Sequence, residues 1–191
     1  MKIEVVEEPI AFLEKYASIR IAFEVGTILA VSEPSDGSGQ YLLTERTVDV
    51  PYVKDYDAID GENPSQWPRR FDVSNWGLFA ARIDGRRVGG AVVAFNTPNL
   101  IMLAGRDDLA ALWDIRVAPE VRGEGVGSAL FQATEAWARA RGCRQLKVET
   151  QNINVPACRF YARQGCTLET VDRFAYSTYP HEVQLIWSKD L

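Results

Sequence analysis

The residues with the clearest chemical potential are glycines and one arginine in a single short stretch. It reads Val117-Ala118-Pro119-Glu120-Val121-Arg122-Gly123-Glu124-Gly125-Val126-Gly127-Ser128 and joins a strand-like segment to a helix-like one. Glycines allow the main chain to turn tightly and to direct successive N–H groups to one point. A helix that begins here adds its own unpaired N–H groups and the positive end of its dipole. The pattern favours a pyrophosphate site, with an ordinary tight turn as the alternative.

Two common nucleotide-binding motifs do not fit this turn. A P-loop needs a lysine after the last glycine, whereas Gly127 is followed by Ser128 and Ala129. A dinucleotide fingerprint needs a third glycine at position 128, and the acidic residue expected about 20 positions later is not evident. What remains is the pattern R-x-x-G-x-G, formed by Arg122, Gly125 and Gly127.

Histidine and cysteine chemistry has little support. The chain has one histidine, His181, and three cysteines, Cys143, Cys158 and Cys166, with no spacing typical of a zinc site. A strand or loop position without a chemical role is therefore expected for His181. We expect the cysteines to be small buried residues, and their odd number suits a reducing cytoplasm.

Composition limits the class of protein. The 191 residues suffice for one α/β domain, and 47 % apolar with 25 % charged residues is typical of a globular chain. The formal net charge of -5 argues against a nucleic-acid partner. No apolar run is long enough for a membrane span, and the acidic first residues do not read as a secretory signal. We therefore expect one domain over residues 1–191, in the cytoplasm, with neither nucleic acid nor membrane as partner.

The pattern of apolar residues predicts the elements that position this turn. Strands are predicted over 23–31, 41–50, 77–83, 87–95, 111–117, 146–150, 167–178 and 182–187. Asp84-Gly85 is a strong hairpin signal, the stretch 33–39 reads as a turn, and 49–70 reads as an irregular loop. A helix is predicted from Val126 to Ala140 by apolar residues three and four apart, and a second one between Asn154 and Gly165.

Two segments together resemble the signatures of the GCN5-related N-acetyltransferase (GNAT) family. The first is Asp114-Ile115-Arg116-Val117-Ala118-Pro119 leading into the glycine turn, which is similar to the acetyl-CoA motif. The second, Asn154 to Gly165, is similar to N-x-x-A-x-x-F-Y-x-x-x-G-F, except that Cys166 replaces the final phenylalanine. The resemblance covers about residues 112–166. It implies the GNAT fold, an α/β architecture with a mixed, mostly antiparallel sheet flanked by helices.

The resemblance also implies how a cofactor would be held. Acetyl-CoA is the expected cosubstrate, and no metal is expected. Main-chain groups of Ile115, Arg116 and Val117 would pair with the pantetheine arm, and Asn154 would cap its helix and also bond the pantetheine. The N–H groups of the turn would bind the pyrophosphate. They belong to Arg122, Gly123, Glu124, Gly125, Val126, Gly127 and Ser128.

The resemblance implies direct transfer of acetyl to an amine. The amine must lose a proton before it attacks, and Glu149 is the candidate base, acting through a water. Asp114 is the competing candidate, as a base or as a contact for a cationic substrate. Tyr161, which lies seven residues after Asn154, is the candidate acid for the departing thiolate and counts also as a cofactor contact.

The acceptor is less defined. Short matches, among them Phe23-Glu24-Val25, Pro51 to Tyr56 and Val148 to Asn152, resemble the streptothricin acetyltransferase branch of the family. Residues 33–62 hold eight acidic residues against Arg46 and Lys54, which suits a polycationic amine but equally a solvated loop. Tyr52, Tyr56, Trp67 and Tyr176 are candidate pocket residues.

Three functions stay open at this point. One is acetylation of a small polyamine antibiotic, with a resistance role. Another takes a protein or peptide N-terminus, or a lysine, as acceptor. The third is a non-catalytic acyl-CoA sensor. A homodimer is an additional expectation.

Overall fold

The computed structural model describes residues 2–33 and 41–191, which form two compact units. The first comprises residues up to 22, 55–147 and 190–191, and the second comprises 23–54 and 148–189. The strands are β1 (Ile3–Glu8), β2 (Phe23–Ser32), β3 (Leu42–Lys54), β4 (Gly77–Ile83), β5 (Arg86–Phe95), β6 (Leu109–Val117), β7 (Gln145–Gln151), β8 (Thr167–Asp172) and β9 (Gln184–Asp190). The helices are α1 (Leu13–Ala17), α2 (Trp67–Arg70), α3 (Val126–Ala140) and α4 (Val155–Arg163).

A sheet and one long helix build the first unit. Its strands are hydrogen-bonded in the order β1-β4-β5-β6, with antiparallel pairing at each step. The sheet is apolar throughout its centre, where Leu78, Val92 and Leu109 are fully buried. Helix α3 covers it with an apolar stripe that includes Leu130 and Phe131. This packing fixes the start of α3 beside the end of β6.

The second unit contains the remaining strands and the shorter helix α4. Strand β9 lies between β7 and β8 in the hydrogen-bonded order, and β8 pairs with β9 antiparallel. Strands β2 and β3 form a separate antiparallel pair. Val25 and Leu29 of β2 are buried, whereas β3 is exposed along most of its length.

Most predicted elements are present, and the differences have local causes. Strand β8 ends at Asp172 and not at 178, because the Asp172 carboxylate accepts the N–H of Phe174 at 2.7 Å and starts a turn. Strand β3 extends to Lys54 although it contains Pro51. The register moves there from Val25–Tyr52 to Thr27–Thr47, so residues 48–51 lie outside the regular ladder and need no N–H at the proline. The turn predicted for 33–39 lies almost entirely outside the described residues.

Two elements were not predicted. Strand β1 shows no strict alternation of buried and exposed residues, and α1 has only five residues, too few to reveal a helical period. Both belong to the first unit, where β1 pairs along β4 and Tyr16 of α1 is fully buried.

Candidate active site

The glycine turn lies between β6 and α3, where the sequence predicted it. Gly123 and Gly125 both have φ of +87°, a conformation that side chains with a Cβ rarely adopt. Gly125 is the N-cap of α3, and no side chain caps this helix. The N–H groups at the start of α3 therefore keep the orientation that suits an anion.

The turn is braced by hydrogen bonds to its neighbours. The N–H of Ala118 donates to the carbonyl of Val88 at 2.8 Å, which ties the end of β6 to β5. The Nε of Arg122 donates to the carbonyl of Val117 at 3.0 Å. Gly123 and Glu124 are exposed, and a Cβ on Gly123 would meet nothing within 4 Å. This open, braced turn fits a pyrophosphate group.

Strand β6 contains the segment that is predicted to pair with the cofactor, Ile115 to Val117. The β5–β6 register is irregular beside Trp113: Val92 pairs with Asp114 and Val93 with Leu112, so Trp113 is an extra residue. Such a bulge bends a strand and redirects the side chains next to it. It precedes Asp114 directly.

Asp114 belongs to a buried ionic cluster. Arg116 donates from Nε to Asp114 at 2.7 Å and, with two further bonds of 2.7 Å, to both carboxylate oxygens of Asp57. Only 1 % of the Arg116 side chain is exposed. Burial raises the pKa of Asp114, and the Arg116 charge opposes this rise. Burial alone would lower the pKa of Arg116, but the charge of Asp114 and the bonds to Asp57 raise it above its ordinary value.

The second unit holds Glu149 on β7 in a polar network. The hydroxyl of Tyr176 donates to Glu149 Oε1 at 2.6 Å, and Gln151 Nε2 donates to the Tyr176 oxygen at 2.8 Å. Glu149 and Gln151 are half-buried, and alternation along β7 places both on the same face. Of the candidate pocket residues, Tyr176 thus contacts a predicted catalytic group.

Asn154 and Tyr161 lie on α4 as predicted. The Asn154 side chain accepts the N–H of Ala157 at 3.2 Å, a normal N-cap, and Pro156 lies in the first turn. Tyr161 is 5 % exposed, and its ring lies edge-on to Phe160 at 5.4 Å between centroids. The assignment of Tyr161 as the acid stays a prediction.

The acidic segment is partly neutralised by arginines. Glu45 pairs with Arg159, Glu62 pairs with Arg70, and Asp57 is bound by Arg116. Trp67, a candidate pocket residue, is instead 2 % exposed in the core, where its Nε1 donates to the carbonyl of Glu62. Tyr52 is exposed.

Sequence reasoning missed a second buried ion pair and the role of Asp57. Lys54 donates to Glu182 at 2.6 Å, with side chains 8 % and 10 % exposed. The Lys54 Nζ also lies 3.7 Å from the centroid of the Tyr179 ring. Their separations along the chain leave no local signal for either pairing. His181, which precedes Glu182 in the sequence, is exposed, and the three cysteines are buried as predicted.

The described part of the chain contains neither a metal-binding cluster nor a membrane-spanning helix. Residues 2–33 and 41–191 contain no cluster of three or more His, Cys, Asp or Glu side chains able to hold a metal ion. Within the same residues, no helix has the length and apolarity needed to cross a bilayer.

Comparison with known proteins identifies the family. Residues 46–166 match the Acetyltransferase (GNAT) family. The streptothricin acetyltransferase of Escherichia coli is 32 % identical over 98 % of this chain and 94 % of its own. A crystal structure of nourseothricin acetyltransferase has a TM-score of 0.75 and 28 % identity, covering 100 % of this chain and 99 % of its own.

A second structure, an acetyl coenzyme A complex from Bacillus anthracis str. Ames, shares the fold with a TM-score of 0.79. It is 23 % identical, with 100 % coverage of both chains. These matches confirm the predicted fold, a mixed, mostly antiparallel sheet flanked by helices, and the predicted enzyme class, an acetyl-CoA-dependent N-acetyltransferase. The chain belongs to the GNAT acetyltransferase family.

Proposed function

We propose that this enzyme acetylates an amino group of a streptothricin-like polycationic antibiotic. The observation that carries the proposal is the 32 % identity to the Escherichia coli streptothricin acetyltransferase along nearly the whole of both chains. The structural likeness to nourseothricin acetyltransferase supports the same acceptor class. A resistance role follows from this acceptor, since acetylation removes a positive charge from the amine.

The glycine turn and β6 are proposed to hold acetyl-CoA, which supplies the activated acetyl group when bound. N–H groups from Arg122 to Ser128 receive the pyrophosphate, and the main chain of Ile115 to Val117 pairs with the pantetheine arm. Asn154 adds a polar contact from the start of α4. The uncapped helix start and the positive φ of Gly123 and Gly125 support this assignment.

Glu149 is the proposed base. An alkyl ammonium has a pKa of about 10 and cannot attack until it loses its proton. Glu149 takes that proton through a water, and the neutral amine then attacks the thioester carbonyl. Asp114 is the less favoured base, because its carboxylate forms an ion pair with the buried guanidinium of Arg116, whereas Glu149 accepts its hydrogen bond from the uncharged hydroxyl of Tyr176.

Tyr161 is the proposed acid. As the carbon–sulfur bond breaks, its hydroxyl donates a proton to the leaving thiolate, which departs as CoA thiol. Phenylalanine at this position keeps the ring and removes only the proton donor. We expect kcat to fall by about 10²-fold in Tyr161→Phe with little change in the KM for acetyl-CoA.

The test is thiol release from acetyl-CoA with a panel of amines. The panel contains streptothricin, aminoglycosides, polyamines and N-terminal peptides, each run with the parent enzyme, Glu149→Gln, Asp114→Asn and Tyr161→Phe. All three cysteines are buried, and burial raises the pKa of Cys158 to about 12, so the protein's own thiols add little to the signal.

Each outcome of the panel distinguishes between candidate functions or between candidate catalytic residues. Streptothricin turnover that falls in Glu149→Gln and Tyr161→Phe supports the proposal. If the pH profile loses its acid limb in Asp114→Asn and keeps it in Glu149→Gln, the base is Asp114. Turnover of peptides alone would replace the acceptor, and cofactor binding without any turnover would favour a sensor.

We further propose that residues 1–191 form one functional domain, that the enzyme is cytoplasmic and that it forms a homodimer. The first of these is tested by limited proteolysis, in which a single domain resists cleavage at 22–23, 54–55 and 147–148. Sedimentation analysis tests the oligomeric state.

A further inference from the structure

The loop between β8 and β9, residues 173–183, is held at several points within the second unit. Arg173 Nη2 donates to the carbonyl of Val31 at 2.7 Å, and the N–H of Val183 donates to the Asn152 side chain at 2.8 Å. The buried pair of Glu182 with Lys54 adds a third attachment. Such attachments restrict the positions that a loop can adopt.

One residue of this loop reaches the proposed base. Tyr176 donates to Glu149 Oε1 at 2.6 Å, a distance typical of a hydroxyl bound to a carboxylate. The direction of the proton is defined, because Gln151 Nε2 is a donor and an ionised carboxylate can only accept. The Tyr176 oxygen therefore accepts from Gln151, and its proton lies towards Glu149.

Three charged groups of the neighbouring elements have partners of their own. Arg173 is bound to a main-chain oxygen, Glu182 to Lys54, and Arg159 of α4 to Glu45. His181 is exposed, and Lys189 of β9 lies beside Gly165. The hydrogen bond that the carboxylate of Glu149 accepts comes from Tyr176.

We infer that Tyr176 is a positioning residue, which orients the Glu149 carboxylate through a hydroxyl that Gln151 fixes in direction. This inference rests on the proposed role of Glu149 as the base. A base held by one oxygen presents the other to the water that carries the proton away from the amine. Displacement by even about 1 Å would lower the rate substantially.

The test compares Tyr176→Phe with Tyr179→Phe. Both variants remove one hydroxyl from the same loop, and the second keeps the ring over Lys54. We expect Tyr176→Phe to lower kcat about tenfold while the KM for acetyl-CoA changes less than about twofold. Tyr179→Phe should match the parent enzyme in both.

A second readout does not depend on turnover. The side-chain carboxyl of Glu149 is followed by ¹³C NMR in glutamate-labelled protein, with its signal assigned by its absence in Glu149→Gln. Tyr176→Phe should move the Glu149 carboxyl signal away from its chemical shift in the parent, and Gln151→Leu should move it by a smaller amount. The same chemical shift in Tyr176→Phe, Tyr179→Phe and the parent would overturn the inference.

The two readouts separate this inference from the function on which it rests. If the parent releases no thiol with any amine, the proposed function fails, and the carboxyl NMR signal still decides whether Tyr176 holds Glu149. If streptothricin is turned over and Tyr176→Phe alters only its KM, Tyr176 contacts the acceptor and the positioning role is wrong.

Discussion

The guanidinium of Arg116 binds Asp57 with both terminal nitrogens and Asp114 with its Nε. The GNAT motif assigned only a main-chain role to this residue. Its side-chain role could not be predicted, because Asp57 lies 59 positions away along the chain and no spacing rule connects them. Positions such as Glu149 and Tyr161 could be named from their motifs, whereas their hydrogen-bond partners could not.

Removal of the Arg116 side chain should destabilise the protein strongly. Arg116→Ala leaves the Asp114 carboxylate buried without its cation, which costs about 3–5 kcal/mol of unfolding free energy. Urea denaturation followed by circular dichroism measures the loss. Arg163→Ala, at an exposed position on α4, is the control and should lie within about 0.5 kcal/mol of the parent. Equal stability of the two variants would contradict the structural role of the cluster.

At the scale of elements, regular patterns were predictable and irregular ones were not. Helix α3 and the hairpin at Asp84-Gly85 follow from spacing and turn chemistry alone. The end of β3 could not be predicted, because Pro51 is typical of a loop. The strand tolerates this proline because its register with β2 shifts opposite Gly26. Close contacts between elements could not be predicted either, since the spacing of glycines in the sequence does not show which atoms pack against each of them.

Gly90 on β5 illustrates such a close contact. A Cβ there would lie 2.7 Å from the carbonyl oxygen of Phe79 and 2.7 Å from the Tyr16 ring. We expect Gly90→Ala to destabilise the protein by about 1–3 kcal/mol, since neither the strand nor the buried ring can move away freely. Gly26→Ala is the matched control, because a Cβ on Gly26 meets nothing within 4 Å. Thermal unfolding of both variants checks the difference.

The pair between β3 and the 173–183 loop offers a second test at this scale. Lys54→Met leaves Glu182 buried without its cation, and we expect a loss of about 3–5 kcal/mol. The double variant Lys54→Met/Glu182→Leu replaces both charges by apolar groups and should recover most of that loss. Denaturant titrations of both single variants and the double variant give the coupling energy. Additive losses would show that the pair contributes through packing and not through charge.

Viewed as a whole molecule, the chain places its proposed chemistry in both compact units. The glycine turn and Asp114 belong to the first unit, and Glu149, Asn154 and Tyr161 belong to the second. All of these positions could be named from the sequence, because each motif is local in sequence, and their chemical roles stay predictions. The division into units was not predicted, since it depends on segments that are far apart along the chain.

Acetyl-CoA should stabilise the whole protein. A ligand that binds only the folded state at 100 times its Kd adds about 2.7 kcal/mol, or roughly 5–10 °C in the melting temperature at this chain length. A thermal-shift titration with acetyl-CoA measures the rise. Gly125→Val, strained by its φ of +87°, should bind the cofactor poorly and show a much smaller rise. An equal rise in both proteins would remove the turn from the cofactor site.

The missing side-chain cap on α3 has a consequence for resistance to proteolysis. A bound pyrophosphate would add partners to the N–H groups at the start of α3, so we expect this turn to open less readily in the liganded protein. Proteases act on such opened states. We therefore expect acetyl-CoA to slow proteolytic cleavage at the glycine turn.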